Sequence, residues 1–302
     1  MDERTIKLSA FNAKAACSKH FNAVVIGKKH TGKSTLIKDI LYNVHKQKVP
    51  RICVFSGTEE SNGFYREFIP DLFIFDDSMV EEKLTQIVES QKKIGMQKQL
   101  GECGDDVDSR IVVVLDDVGY KKNTLKCEIL RQIFMNGRHH QISLIVACQY
   151  CMDLAIDLRT NADYVFVLKQ NNMNSIKNLH ETYFGSFEKK KDFQTVLEAC
   201  TADYQCLVLD NTKPSTNTTD VCFWYKAKYG KEYKFGCPLL WEYHGRWYMS
   251  EKQRYQSQQK TKPSRSRTGT HQQQLVVHKA TSGPAGNAAA GNAAAGTAGT
   301  AE

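Results

Sequence analysis

The chain has 302 residues, 41% of them hydrophobic and 25% charged, with 41 Lys+Arg against 33 Asp+Glu for a formal net charge of +8. This is the composition of an ordinary soluble globular protein, long enough for one substantial core. It excludes several classes: the apolar runs, such as Ile111 to Leu115 and Ile142 to Cys148, are too short to cross a bilayer, and the N-terminal MDERTIKLSAFN has no signal-peptide core.

In chain order, short apolar runs alternate with stretches of helical period. Ala23 to Ile26 is the first run and ends at Gly27. Lys33 to His45 follows, with Leu36, Ile37, Ile40, Leu41 and Val44 at helical spacing. Ile52 to Phe55 and Leu72 to Phe75 are the next strand-like runs. Residues 80–97 read as helix, with Leu84, Ile87, Val88 and Gln91 on one face, and 98–109 as a Gly- and Asp-rich loop. Ile111 to Leu115 is the most apolar run. Residues 123–135 return to helical period through Leu125, Ile129, Leu130 and Ile133. Ile142 to Cys148, Tyr164 to Leu168, Tyr204 to Leu209 and Val221 to Tyr225 complete the strand series.

Runs that are apolar throughout, rather than alternating, indicate strands buried on both faces. Helices between them indicate crossovers. The expected fold is therefore α/β, with a mostly parallel central sheet flanked by helices. The short polar link from Asp210 to Asp220 makes the last two strands an expected antiparallel edge pair.

Residues 226–250 are dense in aromatics, among them Tyr229, Tyr233, Phe235, Trp241, Tyr243, Trp247 and Tyr248. They read either as a packed terminal flap or as a stacking or docking surface. Residues 251–302 hold 7 basic and 2 acidic side chains, then a Gly/Ala-rich stretch in which GNAAA repeats. Such a segment buries too little to order itself, so a disordered tail is expected. Residues 1–250, with 34 basic and 31 acidic side chains, are far less basic per residue. The expected division is an N-terminal segment over 1–20, a catalytic domain over 21–225, an aromatic extension over 226–250 and the tail over 251–302.

Ten cysteines are too sparse for a disulfide scaffold. Cys148 and Cys151 form a lone C-x-x-C with no second pair at zinc spacing, so they read as idle thiols. Asn217-Thr218-Thr219 is a formal glycosylation sequon that reads as a polar turn.

Gly27-Lys28-Lys29-His30-Thr31-Gly32-Lys33-Ser34 fits G-x-x-x-x-G-K-[ST] between a strand-like run and a helix-like one. Its glycines let backbone N–H groups point at a phosphate, and the following helix adds its positive end. This predicts a nucleotide cradle from Gly27 through Thr35. Lys33 is placed to reach the β- and γ-phosphates, and Ser34 to give a hydroxyl to Mg²⁺. The metal also needs a carboxylate at the end of a neighbouring strand, and Asp116 after Ile111–Leu115 supplies it. Asp117 is then the candidate to polarise the attacking water, which favours a hydrolase over a small-molecule kinase. Gln149, after the Leu144–Cys148 run, is a candidate γ-phosphate sensor. Gly137 is expected to end the preceding helix and leave Arg138 on a loop at this same sheet edge. There it would be a candidate arginine finger for a neighbouring subunit's nucleotide, with Arg159 as its rival.

These elements, in this order, resemble the HerA–FtsK superfamily of P-loop ATPases, and above all the DNA-packaging ATPases of large nucleocytoplasmic DNA viruses and virophages. The resemblance rests on FNAVVIGKKHTGKSTLIKDIL at 21–41, IVVVLDDVG at 111–119, FMNGRHHQISLIVACQY at 134–150 and Arg159-Thr160-Asn161-Ala162-Asp163. It covers roughly residues 20–225. It implies a RecA-like sheet, ATP and Mg²⁺ as cofactors, and a homo-oligomeric ring that drives double-stranded DNA into a preformed capsid. Carried over, Lys33 and Ser34 bind phosphate and metal, Asp116 holds Mg²⁺, Asp117 is the catalytic base, Gln149 the sensor and Arg138 the trans finger. A capsid protein or portal vertex is an implied partner, a membrane is not, and the implied location is the host cytoplasm, at the viral factory, or the virion.

Two features depart from the wider group. The loop interior Lys-Lys-His-Thr is unusually basic, and the second acid is Asp where many relatives have Glu. Two other readings stay open: a cellular or plasmid DNA translocase or helicase on the same fold, and a nucleotide-switched assembly factor. Lys121-Lys122 and Lys189-Lys190-Lys191 are candidate DNA-contacting stretches.

Overall fold

The computed structural model describes residues 6–104, 106–118, 124–250 and 253. Gln253 apart, the expected tail over 251–302 lies outside the described residues, as does the Lys121-Lys122 pair. Met1–Met249 forms one compact unit and Ser250–Glu302 a second.

The strands are β1 (Ser9–Ala10), β2 (Asn22–Ile26), β3 (Arg51–Ser56), β4 (Ile74–Phe75), β5 (Ile111–Asp116), β6 (Ile142–Cys148), β7 (Tyr164–Val167), β8 (Gln205–Asp210) and β9 (Cys222–Lys226). The helices are α1 (Ala13–Ala16), α2 (Lys33–Lys46), α3 (Glu59–Asn62), α4 (Val80–Gln99), α5 (Glu128–Asn136), α6 (Ile156–Thr160), α7 (Met173–Thr182), α8 (Lys190–Cys200), α9 (Thr218–Val221) and α10 (Pro238–Trp247). All nine strands form one sheet in the order β1-β9-β8-β7-β2-β6-β5-β3-β4. The pairings make β8 the one strand that runs against the others.

The sheet is parallel through its middle because its strands have nothing to show to water. Every residue of β2 is buried, and so is every residue of β5. Alternate residues of β2 point to opposite faces. Val24 and Ile26 enter one core, with Val113, Leu115, Leu144 and Val146. Ala23 and Val25 enter the other, with Leu36, Ile37, Ile40 and Leu41 of α2. Each of the fully buried Val, Leu and Ile side chains among these contributes about 2 kcal/mol relative to exposure.

Chain order places the site. From β2 the chain crosses through α2 to β3, beyond β6 and β5, whereas β7 lies on the opposite side of β2. The carboxyl end of β2 is therefore a point where the winding changes direction. Ligands bind at such crevices in open α/β sheets.

The antiparallel pairing of β8 with β9 is as expected, but β9 is not the edge. Ser9 and Ala10 pair with Phe223 and Trp224 beyond it, and Phe11 inserts among Tyr164, Phe166, Phe223 and Tyr225. Part of the 1–20 segment is thus built into the sheet. At the other end of the unit the aromatic segment divides. Phe235 is fully buried, Tyr233 donates from its hydroxyl to the Lys38 carbonyl at 2.8 Å, and Trp241 donates to the Phe235 carbonyl at 2.8 Å. Tyr229, Tyr243 and Trp247 remain exposed.

Smaller corrections concern the ends of elements. The expected helix over 123–135 is broken. Leu125 sits in a 3₁₀ turn, Cys127 is extended, and α5 starts only at Glu128. Of the Leu72–Phe75 run only Ile74 and Phe75 pair as strand. Asn217 of the sequon caps α9, accepting from the Thr219 N–H at 3.5 Å, which is the polar turn expected there. Lys189-Lys190-Lys191 forms the solvated start of α8.

Candidate nucleotide site at the carboxyl edge of the sheet

Residues 27–32 link the end of β2 to the start of α2, and two features set their path. Gly27 follows β2 so closely that a Cβ there would lie 2.6 Å from Thr31 Oγ1 and 2.9 Å from Leu168 Cδ1, so no larger residue fits without displacement. Gly32 takes φ +94°, a left-handed conformation that costs glycine little, and caps α2. His30 is also left-handed, at φ 64°. The turn is tied internally by the Thr31 hydroxyl, which donates to the Lys28 carbonyl at 2.7 Å.

Lys33, the first residue of α2, sends its ammonium back across the turn. It donates to the Gly27 carbonyl at 2.8 Å and the Lys28 carbonyl at 3.1 Å. Ser34 and Thr35 follow in the first turn of the helix. The positive end of α2, the lysine and the curled backbone therefore converge on one mouth.

β5 ends beside that mouth. The Ser34 hydroxyl donates to Asp116 Oδ2 at 3.1 Å, and the Tyr65 hydroxyl donates to the same oxygen at 2.7 Å. Asp116 and Tyr65 are both buried. Burial raises the Asp116 carboxyl above its usual range, opposed by the bonds from Tyr65 and Ser34 and by the Lys33 charge. Burial likewise pushes the Tyr65 phenol well up, with the Asp116 carboxylate adding to it. Tyr65 therefore stays a donor and fixes the rotamer of Asp116. Ser34 and Asp116 present two hard oxygen ligands side by side. That donor set fits a small oxygen-seeking dication such as Mg²⁺, which takes its other ligands from water and phosphate.

Asp117, one residue on, is left-handed at φ 55°. This turns it away from the line of β5, and it accepts from Gln149 Nε2 at 3.3 Å. Asp117 and Gln149 line a cavity of about 570 Å³ that also contains Lys29, Thr58 and Asp153. Lys33, Ser34, Asp116, Asp117 and Gln149 thus come together from three separate segments.

Arg138 does not join them. Gly137 is right-handed, and the chain continues through a 3₁₀ turn over Gly137–His140 before β6 begins at Ile142. A residue that precedes a strand of a parallel sheet lies at the amino edge, so the expectation of a shared edge is wrong. Arg138 is exposed there, with His139 at 3.4 Å. Arg159 is only 8% exposed, with Nη1 2.8 Å from Met152 Sδ. Arg159 thus lies inside the fold, whereas Arg138 is at its surface. Cys148 and Cys151 are buried, and burial raises both thiols, which keeps them protonated and idle. Among the described residues no group of three or more His, Cys, Asp and Glu is placed to hold a metal, and no helix is long and apolar enough to cross a membrane.

The profile of the Poxvirus A32 protein family matches residues 8–235. The chain belongs to that family. It is 34% identical over 229 residues to an uncharacterized protein of Acanthamoeba polyphaga mimivirus, covering 76% of this chain and 80% of that one. It is 37% identical over 225 residues to an uncharacterized protein of Frog virus 3, covering 73% and 66%. A genome packaging NTPase of Sulfolobus turreted icosahedral virus 2 has the same fold, with a TM-score of 0.52 at 18% identity over 70% of this chain and 98% of that one. The resemblance to proteins of large DNA viruses is borne out by the family and its relatives, and the expected fold class by the shared fold. The family match begins at residue 8, where β1 enters the sheet, and so also takes in the segment before residue 20.

Two residues at the site escape sequence reasoning. Tyr65 sits in a short 3₁₀ turn with no periodicity to flag it. Glu59, buried beneath it, accepts from the backbone N–H groups of Tyr65 at 3.0 Å and Arg66 at 2.9 Å, and so holds the turn in place. The one available signal was an acid and a tyrosine close behind a strand that ends at the carboxyl edge.

Proposed function

We propose that this chain hydrolyses ATP and uses the energy to move double-stranded DNA as a homo-oligomeric ring, packaging a viral genome into a preformed capsid. The observation that carries the hydrolase part is the pair of contacts at the loop mouth, Ser34 to Asp116 and Gln149 to Asp117. The first gathers ligands for a dication. The second places an uncoordinated carboxylate and an amide over the adjoining cavity. A nucleotide-binding switch needs only the first.

In this reading the backbone from Gly27 to Thr31 and the Lys33 ammonium hold the β- and γ-phosphates. Ser34 and Asp116 hold Mg²⁺, whose role is to neutralise charge on the phosphate oxygens. Asp117 accepts a hydrogen bond from the attacking water and orients it in line with the γ-phosphate. Gln149 fixes the Asp117 carboxylate and reports whether that phosphate is present. Arg138 serves the site of the next subunit, because its place at the amino edge keeps it from its own. The family membership and the fold shared with a viral genome packaging NTPase support DNA as the cargo.

Steady-state ATP turnover with and without linear duplex DNA tests the motor reading. Turnover should rise several-fold with duplex. Turnover that is robust but indifferent to DNA would contradict a translocase.

A further inference from the structure

The acid–amide cavity takes up one flank of the phosphate loop only. A nucleotide whose terminal phosphate faces Asp117 must carry its sugar and base out over the other flank. A second cavity of about 410 Å³ lies there, formed by Lys28 to Thr31 on one side and by Lys169, Asn171, Asp203 and Tyr204 on the other. Lys29 lines both cavities, so the loop is the ridge between them.

Tyr204 stands out in this second cavity. The residue is 71% exposed, and its Cδ1 lies 3.5 Å from where a Cβ on Gly32 would stand. A large aromatic ring is therefore parked beside the last glycine of the phosphate loop with most of its surface uncovered. The backbone that presents it is strained, since Asp203 at φ 49° and Tyr204 at φ 56° are consecutive left-handed residues without being glycine. The strain is held by neighbours. Asp203 is ion-paired to Lys226 at the end of β9, and Gln205 opposite Lys226 begins β8. Thr201, buried just upstream, donates to the Leu197 carbonyl at 2.7 Å. The antiparallel β8 is what makes this possible. Because it runs against the sheet it starts at the carboxyl edge, and so brings the turn before it to the nucleotide.

We propose that Tyr204 is the platform on which the nucleotide base stacks, in a base seat on the β7–β8 flank of the phosphate loop. A flat ring reads any base by its face, with little dependence on base identity. The inference rests on the phosphate-site reading above. It adds where the base goes and which side chain holds it.

The test is calorimetric titration of the full chain, in Mg²⁺ buffer, with ATP, ADP and inorganic tripolyphosphate. Tyr204→Ala should weaken ATP and ADP binding roughly tenfold, and Tyr204→Phe should restore it to within twofold. Neither should change the affinity for tripolyphosphate, which has no base and reports the phosphate cradle and an intact fold. Unchanged ATP affinity in Tyr204→Ala would overturn the base seat and leave the phosphate site standing. So would an equal loss for ATP and tripolyphosphate, which marks a general disturbance of the loop. Wild-type protein that binds neither ligand would overturn the nucleotide reading and the base seat together.

Discussion

The carboxyl and amino edges of this one sheet are built to different rules. At the carboxyl edge, the start of α2, the end of β5 and the residue after β6 bring polar groups together at the loop mouth. Their bonds, Ser34 to Asp116 and Gln149 to Asp117, leave lone pairs facing the cavity. At the amino edge the polar groups bind the framework instead. The buried Asn22 donates from its side chain to the Phe134 carbonyl at 3.0 Å, and its backbone N–H donates to Asp163 Oδ2 at 2.7 Å. Those bonds tie β2 to the end of α5 and the start of β7. Arg138 is an exposed cation on this edge, as are Lys19 and Lys48. Under the proposed function, the contrast separates chemistry done within a subunit from chemistry offered to a neighbour.

That contrast can be broken by substitution. The largest effect belongs to the carboxyl edge. Lys33→Ala removes the charge from the phosphate mouth and should cut ATP turnover by about 1,000-fold, while the urea midpoint moves little because Lys33 bonds only to loop carbonyls. Full turnover in that variant would remove the site assignment. The amino edge should behave in the opposite way. Asn22→Ala leaves the Phe134 carbonyl without its donor and should cost about 1–3 kcal/mol in unfolding free energy. Turnover per folded molecule should change less than twofold. A selective loss of turnover in Asn22→Ala would mean that the two edges are coupled and that the division drawn here is false.

How much of this was legible in the sequence follows from what each feature depends on. The buried strands and the phosphate loop were readable because each is local. An unbroken apolar run such as Val112–Leu115 has only one comfortable place, and G-x-x-x-x-G-K-S sets its own geometry. Asp116 and Gln149 were readable because each follows such a run directly. Arg138 was misplaced because it precedes β6, and residues before a strand of a parallel sheet lie at its amino edge. Gly137 caps α5 as expected, and a 3₁₀ turn over Gly137–His140 leads on to β6. Tyr65 was missed because nothing local joins it to Asp116, 51 positions away. The Ser9–Ala10 strand was missed because two residues carry no period, and its partner, β9, lies at the far end of the fold.

The central claim is that each active site is completed by two subunits, one giving its carboxyl edge and the next its amino edge. Mixing two inactive variants tests it most directly. Arg138→Ala keeps an intact carboxyl edge but has no arginine to offer. Asp117→Asn offers the arginine but cannot orient water at its own site. Each alone should turn over ATP poorly. Mixed before assembly, they should recover activity that peaks at intermediate ratios, as wild-type edges meet across subunit boundaries. Absence of recovery at every ratio, with both variants folded and assembled, would contradict the account.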